Sequence, residues 1–161
     1  MSLVGELHEE YGAEFEERGG RRRVAHYGRP DSAVRAVRNA VGVCEMAYGI
    51  ALEDGDDRVE FVDNAISNRV PRENGEGVYA LLLDPQGGIE TDMYVYNAAE
   101  RLLVFLPPER AEAVAEDWAS KVFIQDVTVD DVSADLAVFG IHGPKSTEKV
   151  ASVLGGPGAP E

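Results

Sequence analysis

The sequence predicts an α+β fold: a largely antiparallel sheet with packed helices. Segments with apolar residues three and four apart stand between runs that alternate apolar and polar residues, so helical and strand periods both occur. The clearest strand signal is LLLDPQGGIETDMYVY, residues 81–96, where one proline and two glycines separate two apolar runs and specify a hairpin. Strands joined by so short a connection pair antiparallel, and neither a strict strand-helix-strand alternation nor an internal repeat runs through the 161 residues. A hydrophobic content of 44% over that length suffices for one domain with a real core.

Leu7, Tyr11 and Phe15 recur at i, i+4 and i+8 and predict a first helix, closed by Gly19-Gly20. A short strand follows over residues 23–27. Pro30, Asp31 and Ser32 supply helix-start chemistry for a second helix, whose apolar stripe is Ala33, Val34, Val37, Ala40 and Val41. This helix leads into a strand over residues 43–52. The acidic run at residues 53–57 reads as a turn in which Asp56 or Asp57 caps a third helix bearing Val59, Val62 and Ile66. Residues 69–76 form a loop. Strands over residues 78–84, 89–97 and 102–106 make the hairpin and its third member. Pro107-Pro108 opens a helix whose buried face is Ala111, Val114, Ala115 and Trp118. Two more strands are expected over residues 123–129 and 135–141, before Gly143-Pro144 starts a last helix with Val150, Val153 and Leu154. The domain is thus expected over residues 1–154, and the Gly/Pro-rich residues 155–161 as a flexible, linker-like tail.

Thirty acidic against fifteen basic residues give a net charge of -15, a field that repels nucleic-acid backbones and anionic membranes. The acids are dispersed, and arginine far outnumbers lysine, a pattern shared by halophilic surfaces and by some acidic mesophilic proteins. No apolar run approaches the roughly 20 residues that span a bilayer, and the start lacks a secretory layout, so a cytoplasmic location is expected. Cys44 has no intrachain disulfide partner, and the scattered His8, His26 and His142 offer no zinc set, so no metal is expected.

Chemistry concentrates in the hairpin. Alternation along its second strand places Ile89, Thr91, Met93 and Val95 on one side and Glu90, Asp92, Tyr94 and Tyr96 on the other. A solvated strand face explains this pattern. Yet aspartate is a poor strand former, and a carboxylate flanked by tyrosines can orient or accept a proton from a bound amine or heterocycle. HGPKS, residues 142–146, lacks the glycine spacing of a nucleotide fingerprint and reads as a strand-to-helix corner. The serines have no Ser-His-Asp context.

The order of motifs resembles the N-terminal half of the aminomethyltransferase family, the glycine-cleavage T-protein and its folate-binding relatives. The matching pieces are LHEEYGAEF, VAHYG, AVRNAVGVCEMAYG, VEFVDNAISNRV, YALLLDPQGGIETDMYVY and LAVFGIHGPKS. The resemblance implies a folate-binding aminomethyltransferase-like domain and tetrahydrofolate in a central cavity. It also implies transfer of a one-carbon unit from an aminomethyl group on a lipoyl carrier protein. By the same resemblance Asp92 falls on the second of the family's paired aspartates and would polarise the transfer, with Tyr79, Leu81 and Leu83 on the adjoining strand and Tyr94 and Tyr96 beside it forming the folate wall, although core packing explains the leucines equally well. Thr91 stands where the other aspartate is usual, and CEMAYG lacks the family's histidine. These departures point to the alternative, a non-catalytic folate-binding protein related to iron-sulfur assembly factors. A plain α+β interaction domain is the third reading. The C-terminal half of the family's pattern is missing, so the isolated chain is expected to be inactive alone.

Overall fold

The computed structural model of the chain describes residues 4–18 and 20–154, which fall into two compact units. The expected tail and Gly19 of the expected helix stop lie outside the described residues. In chain order the elements are α1 (Gly5–Glu10), β1 (Glu14–Arg18), β2 (Arg21–His26), α2 (Pro30–Asn39), β3 (Gly42–Met46), β4 (Gly49–Asp54) and α3 (Arg58–Ala65). They continue with β5 (Gly77–Leu83), β6 (Ile89–Ala98), β7 (Arg101–Leu106), α4 (Ala111–Lys121), β8 (Thr128–Asp131), β9 (Val138–His142) and α5 (Ser146–Val153).

One unit takes the residues up to Glu17, Arg22–Met46 and those from Ala137 onward. Its first helix is shorter than the periodicity suggests. The backbone N–H of Tyr11 closes it on the Leu7 carbonyl, and Gly12 then turns the chain at φ 73°. Phe15 therefore lies in β1, a strand the i, i+4, i+8 spacing concealed, with the Arg22 guanidinium 3.7 Å above its ring. Leu7 and Tyr11 are exposed, and the buried positions of α1 are Gly5 and His8. Strands β3 and β9 pair antiparallel, Gly42 opposite His142 and Met46 opposite Val138. Gly143 makes the expected strand-to-helix corner at φ 120°, where any Cβ would strike the carbonyls of Val37 and Ala40. The amide of Lys145 then donates to the Ala40 carbonyl at 2.9 Å.

The other unit is built on the five-stranded sheet β5-β6-β7-β4-β8, antiparallel at every step. One face is the core. Ala51, Ala80, Leu82, Met93, Val95, Leu102 and Val104 pack there with Val62 of α3 and Val114, Ala115 and Trp118 of α4. Trp118 meets Phe61 edge-to-face at 6.2 Å. The buried face of α4 is the one its apolar spacing predicts.

Other expectations change as well. The run over residues 43–52 is two strands, because β3 pairs with β9 while β4 pairs with β7 and β8. The strand expected over residues 123–129 begins only at Thr128, leaving Phe123 and Ile124 fully out in solvent. Glu53, read as part of an acidic turn, is instead a strand residue of β4 and is wholly buried on the core face, opposite Leu102 and Val129. The turn itself starts later, at Gly55 with φ 113°.

Candidate functional site

Antiparallel register decides which side chains share the face of the five-stranded sheet opposite the core. Tyr79 lies opposite Tyr94, Leu81 opposite Asp92, and Gly77 opposite Tyr96. Across the next ladder Tyr94 faces Phe105 and Tyr96 faces Leu103. Residues directly opposite one another project to the same side, so all five sequence candidates, Tyr79, Leu81, Asp92, Tyr94 and Tyr96, come together on one surface. The alternation expected for β6 holds from Thr91 onward, with Thr91, Met93, Val95 and Asn97 buried and Asp92, Tyr94 and Tyr96 exposed. Ile89 departs from it. The ladder slips between Leu82, opposite Thr91, and Leu83, opposite Ile89, so Glu90 is an extra bulged residue and Ile89 is exposed instead of sharing the side of Met93.

The surface is aromatic. Tyr79 and Tyr94 have ring centroids 5.1 Å apart, Tyr96 meets Phe105 edge-to-face at 5.5 Å, and Tyr48 meets the same Phe105 at 6.1 Å. Gly77 permits this arrangement, because the Tyr96 ring lies over its Cα and a Cβ would collide with the ring. Tyr79, Tyr94 and Tyr96 keep 48%, 40% and 42% of their surface open, a row of stacking platforms that a lone sheet face does not need. Leu81 is half-buried beside them.

Asp92 is the acceptor of this surface. The Tyr79 hydroxyl donates to its Oδ2 at 3.1 Å, and that hydrogen bond, ahead of burial and charge, raises the Tyr79 pKa above its ordinary value. The phenol therefore keeps its proton, and the carboxylate is held in one orientation with lone pairs to spare. Its neighbour Thr91 is buried and donates to the Asp92 carbonyl at 3.2 Å, a backbone contact that does not take up the carboxylate.

Tyr48, Leu103 and Phe105 complete the surface, and sequence reasoning missed their part. Leu103 and Phe105 follow the alternation of β7, but only the Tyr94–Phe105 register shows that they join the tyrosines. A groove between α4 and β8 carries Glu112, Glu116, Asp130 and Asp131 and none of the candidates. Among the described residues no cluster of His, Cys, Asp or Glu could hold a metal ion, and no helix is long and apolar enough to cross a membrane.

Comparison with known proteins gives a consistent picture. The family model of the GCVT N-terminal domain matches residues 4–156. An aminomethyltransferase of Mycobacterium tuberculosis is 31% identical over 153 residues, 93% of this chain and 41% of that protein. One of Saccharopolyspora erythraea is 30% identical over 149 residues, 91% of this chain and 41% of its own length. In fold, the chain matches the glycine cleavage system aminomethyltransferase T of Bartonella henselae with a TM-score of 0.78 at 22% identity, over 96% of this chain and 44% of that one. The chain thus spans about 40% of the length of the curated relatives it matches.

Proposed function

The chain belongs to the family of the GCVT N-terminal domain, and from that premise we propose that it is the folate-facing part of a tetrahydrofolate-dependent aminomethyltransferase of the glycine cleavage system. The observation that supports this reading best is the open sheet face, where exposed tyrosines surround one oriented carboxylate. A reduced pterin and its p-aminobenzoyl ring are flat, and Tyr79, Tyr94 and Tyr96 offer ring faces and edges for offset or edge-on stacking, with Leu81 filling beside them. Their N–H groups need an acceptor, which Asp92 supplies. As a one-carbon unit moves to or from a folate nitrogen, positive charge and a proton develop there. A fixed carboxylate stabilises the charge and can take the proton. The acidic groove beside α4 is a poor rival, because folate itself carries carboxylates.

The donor in this reading is the aminomethyl group of a lipoyl carrier protein. A further segment, matching the length by which the relatives exceed this chain, covers the tyrosine face and completes the folate cavity. Without it the chain binds folate weakly and does not turn over. Titration calorimetry with tetrahydrofolate kept reduced tests the binding. Tyr79→Ala and Tyr94→Ala should each weaken it about 2- to 10-fold, the value of one aromatic contact. Tyr11→Ala, at an exposed site on the other unit, should leave it unchanged. Unaltered affinity in both face variants removes the tyrosines from folate binding.

With this reading we propose a cytoplasmic protein, and the dispersed carboxylates favour a salt-rich cytoplasm. Screening then relieves repulsion within a net charge of -15, and the melting temperature climbs between low and molar potassium chloride. A flat or falling curve contradicts the halophilic assignment.

A further inference from the structure

At one corner of the open sheet face stands a cation that the surface of tyrosines and Asp92 does not include. Arg110 ends the turn between β7 and α4. Its backbone is fixed on both sides: its N–H donates to the Pro107 carbonyl at 2.9 Å, and its carbonyl accepts from the N–H of Val114 at 3.0 Å. The side chain reaches β6, where Nη2 comes within 3.8 Å of Oε2 of Glu90. Glu90 is the bulged residue, exposed like Asp92 while Thr91 between them is buried, so it belongs to the open side of the sheet.

The guanidinium is unsatisfied there. At 3.8 Å its contact with Glu90 is a charge pair, too long for a hydrogen bond. Both side chains are half-open to water, where such a pair contributes little and is readily exchanged for another. Nε is buried without an acceptor, and no N–H of the fork is hydrogen-bonded among the described residues. A planar fork of donors thus waits at the margin of the face, and the partner that matches it best is a carboxylate.

Folate is flat at one end and anionic at the other. Its reacting nitrogens join the pterin to a p-aminobenzoyl ring, and one amide beyond that ring stand the glutamyl carboxylates. The assignment of Arg110 rests on the folate reading, in which Asp92 is the acceptor for the nitrogens. Along β6, Tyr94 and Tyr96 lie to one side of Asp92, and Glu90 with Arg110 to the other, two residues or about 7 Å away. Arg101, on the same side of β7, stands opposite Ala98, six residues or about 20 Å from Asp92, which is beyond one ring and an amide. We propose that folate runs along β6 in the first direction, its pterin over Tyr94 and Tyr96 and its glutamyl carboxylates on the Arg110 guanidinium. Arg110 is then the residue that selects folates with their tail over bare pterins, and Glu90 is the carboxylate that the tail displaces.

Two ligands separate recognition of the tail from damage to the face. Titration calorimetry on the 161-residue chain compares tetrahydrofolate with 6-methyltetrahydropterin, which has the ring system and no carboxylate, both kept reduced. Arg110→Gln should weaken tetrahydrofolate binding about 5- to 10-fold, the value of a charge-assisted hydrogen bond at a half-open site, and leave 6-methyltetrahydropterin unchanged. Glu90→Gln removes the competing carboxylate and should tighten tetrahydrofolate binding about 2- to 3-fold, a change of opposite sign that a damaged fold does not produce. Arg101→Gln should alter neither ligand, and Tyr94→Ala should weaken both. If Tyr94→Ala does so while Arg110→Gln and Glu90→Gln bind tetrahydrofolate like the parent, the folate surface stands and Arg110 is not its tail site. Equal loss of both ligands in Arg110→Gln, or loss of the preference for the tail in Arg101→Gln, overturns the proposal in the same way. If the parent binds neither ligand, or binding is indifferent to Tyr94→Ala, the folate reading itself fails and the assignment of Arg110 falls with it.

Discussion

Replacement of Glu53 by leucine raises the melting temperature, and raises it far more at pH 8 than at pH 5. The Glu53 side chain is fully buried on the core face of β4, and neither carboxylate oxygen has a hydrogen-bond partner among the described residues. Burial pushes its pKa from an ordinary 4.5 up to about 8, against a smaller lowering by its own backbone. Between those two values the folded chain holds a proton that the unfolded chain has lost. The contribution of Glu53 to stability is therefore greatest below pH 4.5, declines as pH rises, and levels off once pH passes about 8. At 1.36 kcal/mol per pH unit the full decline is about 5 kcal/mol, comparable with the entire stability of a small domain. Leucine removes both the titration and the unpaired polar atoms. Glu53→Gln keeps the shape without the titration, so the stability difference between it and the parent should grow in favour of the variant as pH rises through that window. A leucine variant whose gain is the same at pH 5 and pH 8 shows that Glu53 is not titrating in the core.

Asp92→Asn should slow one-carbon transfer by about 10² to 10⁴, the usual loss when a proton-handling group is removed. The measurement belongs in a protein that joins this chain to the remaining part of an aminomethyltransferase, with carrier-bound aminomethyl donor and tetrahydrofolate supplied. Asparagine preserves the shape and can still accept from Tyr79, so folding should change by no more than about 0.5 kcal/mol, as at an ordinary surface site. Tetrahydrofolate affinity should change far less than the rate, because the stacking surface of Tyr79, Tyr94 and Tyr96 is left intact. Equal transfer rates for the parent and the variant would make Asp92 a solvated strand residue and nothing more.

The hairpin was legible because its signals agree. Proline and glycine mark the turn, and strict alternation from Thr91 to Asn97 sorts the two faces of β6. Helix α4 was legible from its single apolar stripe, although it begins at Ala111, three residues past the Pro107-Pro108 pair, and its N-cap residue Arg110 makes no side-chain cap. Phe15 was misread because a helical spacing continued by chance past Gly12, whose positive φ ends the helix. Glu53 was misread because Glu-Asp-Gly-Asp-Asp has the composition of a turn, and local composition does not reveal a ladder to Leu102 and Val129 formed from distant residues. The candidate site divides in the same way. Asp92, Tyr94 and Tyr96 follow from period two along one strand, whereas Phe105 and Tyr48 join them only through pairings and ring contacts between strands. The hydrogen bonds that join His8 to Glu45 and to Tyr27 were hidden more completely, since the three residues come from a helix, a strand and a turn with no shared period.

The proposed folate surface is tested most directly by mapping where tetrahydrofolate perturbs the NMR spectrum of the isolated chain. Shifts should concentrate on Tyr79, Leu81, Asp92, Tyr94, Tyr96 and Phe105, on the open face of β5, β6 and β7. The groove of Glu112, Glu116, Asp130 and Asp131 should stay silent. Saturable shifts centred on that groove, or on the buried face around Met93 and Val95 with the tyrosines unmoved, would contradict a folate surface on this side of the sheet.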